Sequence, residues 1–86
     1  MITNYRGGRV VGSSALQTSV AEQEIIPSDV TRVINFELIT DQSCTVSFNG
    51  EDAIFIRENT RITIPVVNSC KIIEGSKTFS WHGISG

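Results

Sequence analysis

Thr31-Arg32-Val33-Ile34-Asn35-Phe36-Glu37-Leu38-Ile39 is the stretch on which the fold turns. Ile34, Phe36 and Leu38 fall on one side of an extended chain, and Asn35 and Glu37 on the other. A period of two is the mark of a half-buried β-strand, because successive side chains of a strand point to opposite faces. Thr40-Asp41-Gln42-Ser43 breaks the pattern, and Cys44, Val46 and Phe48 resume it against Thr45 and Ser47. Asn49-Gly50 then predicts a tight hairpin, since both residues accept positive φ. Residues 53–57 return as the partner strand, with an apolar centre that reads as covered on both faces.

Further on, residues 61–67 alternate with Ile62, Ile64 and Val66 inward. Pro65 lacks a backbone N–H, which places this strand at a sheet edge. Asn68-Ser69 turns the chain into a strand over 70–74, and Gly75-Ser76-Lys77 closes a last hairpin onto residues 78–82. Phe79 and Trp81 share one face of that final strand. Upstream, Pro27-Ser28-Asp29 is a turn. Residues 15–26 read in two ways, as a helix over 14–24 with Leu16, Val20 and Gln23 on one face, or as an extended segment. The extended reading is favoured, because Pro27 disfavours helix at Ile26 and the surroundings are strongly β.

Composition agrees. Eight Val, twelve Ile and eight Thr make up about a third of the 86 residues, whereas Ala, Leu, Met and Lys together number eight. β-branched side chains lose rotamer freedom in helices and pack well on pleated surfaces. The expected fold is all-β: a small antiparallel sandwich or jelly-roll-like barrel of about six to eight strands with an extended N-terminal arm. Residues 1–14 form the flexible arm and residues 15–86 a single β domain. The arm is set apart by Gly7, Gly8 and Gly12, by Arg6 and Arg9 without an acid, and by the absence of periodicity.

Several function classes are disfavoured. A net charge of −2 and a pI near 5.2 argue against a general nucleic-acid binder. No apolar run approaches the ~20 residues that span a bilayer, so no membrane role is expected. The first residues lack an apolar signal core, so Cys44 and Cys70 are expected as free thiols of the core in a reducing compartment. One His and two Cys are too few for a typical Cys/His zinc site, and no metal or cofactor is expected.

Candidate chemistry is sparse. His82 lacks a neighbouring nucleophile in the sequence and lies opposite Trp81, as a surface or interface imidazole. Glu51-Asp52 follows the hairpin turn as solvated acids. Gly7-Gly8 precedes no helix that would cradle a phosphate. Trp81 reads as a core anchor, with a sugar-stacking platform as the alternative. No catalytic residue is expected. Tyr5, Arg6, Arg9, Val10 and Val11, in the basic arm, are the candidate interaction residues for docking on another protein.

The order of segments resembles a pattern in small virion proteins of tailed bacteriophages. The similarity runs over roughly residues 15–84. It rests on Ala15-Leu16-Gln17-Thr18-Ser19-Val20, on Ile25-Ile26-Pro27-Ser28-Asp29-Val30-Thr31-Arg32-Val33, and on Ser47-Phe48-Asn49-Gly50. It continues through Ala53-Ile54-Phe55-Ile56, Arg61-Ile62-Thr63-Ile64 and the closing segment from Lys71-Ile72-Ile73-Glu74-Gly75 to Phe79-Ser80-Trp81-His82-Gly83. Where such phage turns often carry Pro-Ala-Gly, this chain has Arg57-Glu58-Asn59-Thr60. The resemblance implies a non-enzymatic head-decoration, fibre, collar or tail subunit, made in the host cytoplasm and incorporated in the virion. Its implied partners are other virion proteins and further copies of itself. Two alternatives stand beside it: a small carbohydrate-binding β module, and a regulator that binds another protein by strand addition.

Overall fold

The computed structural model describes residues 9–86, and every regular element among them is a strand. In chain order these are β1 (Arg9–Gly12), β2 (Gln17–Thr18), β3 (Val33–Thr40), β4 (Cys44–Phe48), β5 (Ile54–Ile56), β6 (Arg61–Val67), β7 (Cys70–Ile72) and β8 (Thr78–Ser85). A five-stranded sheet runs β1-β8-β3-β6, with β2 also on β8, and a three-stranded sheet runs β5-β4-β7. All pairings are antiparallel.

The pairings are nested. β1 pairs with β8, β3 with β6 and β4 with β5. The segment before β3 completes the series on β7: Glu24 bridges Lys71, the Glu22 N–H donates to the Ile72 carbonyl and the Ile25 N–H to the Cys70 carbonyl. One long antiparallel ribbon, folded over on itself into two facing sheets, is the jelly-roll wind; the all-β antiparallel class is as expected from the sequence, which left sandwich and barrel open. The extended reading of residues 15–26 holds as well, in short pieces.

Local chemistry explains the turns. Asn49 and Gly50 both have positive φ, 55° and 74°, and the Glu51 N–H closes the turn onto the Phe48 carbonyl at 3.0 Å. Among the described residues this is the one hairpin between consecutive strands. Gly75-Ser76-Lys77 does not close another: β7 pairs with β4 and β8 with β3, so this turn carries the chain from one sheet to the other. Its left-handed residue is Ser76 rather than Gly75.

The deciding strand contains a bulge. The register of β3 on β8 shifts by one residue between Ile34 and Glu37, and Asn35 takes the left-handed conformation at φ 54°. Side-chain alternation therefore changes phase inside β3. Val33, Phe36, Leu38 and Thr40 point into the core, and Ile34, expected inward, points out. β6 keeps one register with β3 throughout and changes phase with it, so Val67 is buried and Val66, also expected inward, is exposed. Gly83 faces the bulge. A Cβ there would fall on Val33 Cγ1 and lie 3.1 Å from the Ile34 carbonyl oxygen. Pro65 does place β6 at the sheet edge.

The core joins the sheets through aromatic rings. Phe36 stacks on Trp81 at 5.8 Å and meets the edge of Phe48 at 6.3 Å. Around them pack Leu38, Val46, Ile56, Val67, Ile72 and Phe79. The buried Thr40 hydroxyl donates to the Arg57 carbonyl at 2.7 Å and accepts from the Thr60 N–H at 3.1 Å, so its burial leaves no polar atom unpaired. Cys44 and Cys70 are buried free thiols, each at the start of a strand. Burial first, then the neighbouring Glu24 charge and Cys44, push the Cys70 thiol up to about 12, and burial raises Cys44 as well. Neither is a thiolate at neutral pH.

Two carboxylates clip the smaller sheet. Glu24 accepts from the Cys70 N–H (2.7 Å), the Ser69 hydroxyl (2.6 Å) and the Ile26 N–H (3.1 Å). Glu74 accepts from the Thr45 N–H (2.8 Å) and the Thr45 hydroxyl (2.7 Å). The Ser19 hydroxyl donates to the Glu74 carbonyl and accepts from the Lys77 N–H, fastening the turn into β8.

Candidate functional site

In an antiparallel sheet, residues directly opposite one another share a face. The outer face of the five-stranded sheet is therefore built in rows. Val10 stands opposite Ile84, Ile84 opposite Ile34, and Ile34 opposite Val66. That row crosses four strands, is apolar throughout, and rises at its ends to Val10, 83% exposed, and Val66, 44% exposed. The bulge makes it: with uninterrupted alternation through β3, Ile34 would share the inner face with Phe36.

The next row is polar. Gly12 stands opposite His82, His82 opposite Glu37 and Glu37 opposite Thr63. His82 Nε2 lies 2.7 Å from Glu37 Oε1, the Thr63 hydroxyl donates to Glu37 Oε2 at 3.2 Å, and Arg61 Nε is 3.9 Å from the same carboxylate. His82 thus has an acid partner that its sequence neighbours did not reveal. The pair lies on the open sheet face, and the nearby Thr63 hydroxyl is committed to Glu37 rather than to the imidazole. The geometry is that of a surface hydrogen-bonded network centred on Glu37, with no activated nucleophile in it among the described residues.

The expected arm residues separate. Tyr5 and Arg6 lie outside the described residues. Arg9, Val10 and Val11 belong to β1, a strand hydrogen-bonded to β8, so residues 9–12 of the expected arm, 1–14, are part of the sheet. Arg9 donates to Asp29 at 3.1 Å between two exposed side chains. Val11 faces inward and packs against the core. Val10 faces outward and ends the apolar row.

Trp81 is 4% exposed, which places it in the core. Glu51 and Asp52 are solvated, as expected. Residues 53–57 are not covered on both faces: Ile56 is buried, but Ile54 and Phe55 are 51% and 68% exposed. β5 ends the three-stranded sheet, and among the described residues only β4 pairs with it. Phe55, with Ser43, Arg57 and Glu58, lines a shallow surface depression.

Ile34, Ile84 and Val66 escaped the sequence reading. A usable signal existed in the apolar doublets Val10-Val11, Val33-Ile34 and Val66-Val67. In each, one residue faces the core and its neighbour faces out.

The chain matches no protein-family model, and no curated protein or solved structure shows significant similarity to it.

Proposed function

We propose that the chain is a non-enzymatic structural protein of a bacteriophage virion, a head-decoration, fibre, collar or tail component that works by self-association and by docking on other virion proteins. The observation that carries this reading is the cross-strand row Val10–Ile84–Ile34–Val66 on the outer face. A lone exposed valine is ordinary, but a contiguous apolar row across a sheet marks an interaction surface. The row ends on β1, the strand that follows residues 1–8 in the sequence, among them Tyr5 and Arg6. On this reading the apolar row docks on a neighbour, and the arm, with Tyr5 and Arg6 in its sequence, adds a second contact. Jelly-roll domains occur in viral capsid proteins and in lectins, an analogy of fold rather than of site.

The test is direct. Particles purified by density gradient from the source of this sequence should contain the chain at a fixed stoichiometry by mass spectrometry; particles without it overturn the proposal. Truncation then asks for the arm's share. The cut belongs after residue 8, because residues 9–12 are part of the sheet. The shortened chain should keep its fold and lose attachment.

The carbohydrate-binding alternative now rests on Phe55, the exposed aromatic ring among the described residues, because Trp81 is stacked on Phe36 inside the core. Binding on a glycan panel that Phe55→Ala abolishes would favour it over the virion reading.

A further inference from the structure

A sheet has edges, and each edge offers unpaired backbone groups to another chain unless something blocks it. The edges of this molecule differ in how they are blocked. β6 carries Pro65 and the cation Arg61. β1 starts with the cation Arg9. The segment beside β7 is irregular, with Glu22 in the left-handed region at φ 57° and Glu24 clipped to Cys70. β5 has none of these devices. Its three residues, Ile54-Phe55-Ile56, are apolar, free of proline and charge, and two of them are largely exposed.

We infer that β5 is a homotypic contact: it pairs antiparallel with β5 of a second copy, joining two three-stranded sheets into one continuous sheet. The inference rests on the self-association in the proposed function and supplies its contact. A two-fold axis perpendicular to a sheet keeps each residue on its own face, so only residues of equal parity stand opposite one another. Three registers keep the apolar residues of β5 in contact. Centring the axis on Phe55 sets Asp52 opposite Glu58 of the second copy, a like-charge pair. Centring it on Ile56 sets Ile54 opposite Glu58. Centring it on Ile54 sets Ala53 opposite Phe55 and Glu51 opposite Arg57, each occurring twice by symmetry. It also sets Asp52 opposite Ile56, but of the three it alone sets an acid opposite a base within residues 51–58, and that pair selects it. Glu51 and Arg57 are both exposed, so they are free to serve that pairing.

The experiment is sedimentation velocity of the full 86-residue chain over a concentration series, with the native Trp81 emission of each variant as the check on folding. The wild-type chain is expected to show a concentration-dependent dimer. Arg57→Glu and Glu51→Arg should each weaken dimerisation about tenfold, because two attractive pairs become repulsive. The double variant Glu51→Arg/Arg57→Glu should restore it. A wild-type chain that stays monomeric at every concentration overturns the inference. So does a dimer that survives both single variants, or one that the double variant fails to restore. Wild-type chain recovered in purified particles yet monomeric in solution, with cross-links in the particle absent from β5, would sink the β5 contact while leaving the virion reading intact. Absence from particles together with a charge-swappable dimer would do the reverse.

Discussion

The two sheets of this molecule are held in different ways. The larger one is secured by long ladders: β3 and β8 have eight residues each, and β3 has a paired strand on both sides. The smaller one has strands of five, three and three residues, and carboxylates take over where ladders end. Glu24 ties residues 22–26 to β7, and Glu74 ties the end of β7 to β4. Ladders do not titrate and carboxylates do. The smaller sheet, clipped by Glu24 and Glu74, is therefore a part that acid can loosen.

The strongest way to break this contrast is to cut the ring that belongs to both halves. Phe36 on β3 touches Trp81 within its own sheet and Phe48 on the facing one. Phe36→Ala is expected to cost about 3–5 kcal/mol, as truncations of buried aromatics do. Both sheets should melt together in chemical denaturation. If the smaller sheet survived, read from the amide exchange of Thr45 and Cys70, the two halves would be independent and the ring would not couple them.

Next in size is the bulge. Gly83→Ala places a methyl against Val33 Cγ1 and the backbone of Ile34 and Phe36. Overpacking of this kind costs about 1–3 kcal/mol. The damage should stay in the larger sheet, visible as faster exchange of amides in β3 and β8 with those of β4 unchanged.

The bulge also marks where the sequence stopped being legible. The strand at 31–39, the Asn49-Gly50 turn and the edge position of β6 could be read because each depends on a local preference: alternation, positive φ, a missing N–H. The faces of Ile34 and Val66 could not. Alternation counts residues, and a bulge adds one, so every face beyond it is misread. Asn35 is a residue that tolerates left-handed φ, but nothing local says that a strand will use it there. Strand β1 was missed for a related reason. Its single inward apolar residue, Val11, shows no period, and the strand forms because β8 offers it a ladder. The ribbon's nesting brings Glu24 to Cys70 and His82 to Glu37, and no spacing in the sequence encodes those meetings.

Acid should sharpen the contrast between the sheets. For Glu24, burial raises the pKa, but the N–H of Cys70, the Ser69 hydroxyl, the N–H of Ile26 and the Lys71 charge outweigh it and hold the group below the usual carboxylate range. For Glu74, the N–H and hydroxyl of Thr45 lower it. A carboxylate that ionises more readily in the folded chain adds stability that is complete above the unfolded value, about pH 4.3. That stability is lost as pH falls through the lower folded value, because the unfolded chain takes up the proton first. The urea midpoint should therefore drop on acidification, with exchange at Thr45 and Cys70 rising before exchange in β3. Glu24→Gln/Glu74→Gln should lower stability at neutral pH by about 1–3 kcal/mol and flatten the acid dependence. An unchanged slope would move the acid-sensitive groups elsewhere.

The smallest expected effect discriminates most cleanly, because it sets two adjacent valines against each other. Uninterrupted alternation from Ile62 and Ile64 puts Val66 in the core and Val67 in solvent. The bulge reverses this: Val67 has no exposed surface, and Val66 stands in the outer row. Val67→Thr puts a hydroxyl among apolar groups and should cost about 1–3 kcal/mol. Val66→Thr should stay within about 0.5 kcal/mol, as surface substitutions usually do. The two variants change the chain by the same atoms at positions one residue apart, so composition, strand propensity and unfolded-state effects nearly cancel. What remains in the difference is the face each residue occupies. A large loss at Val66 and none at Val67 would mean that β3 and β6 run without the phase change. The apolar row would then have no Ile34 at its centre, and the attachment surface proposed for the larger sheet would go with it.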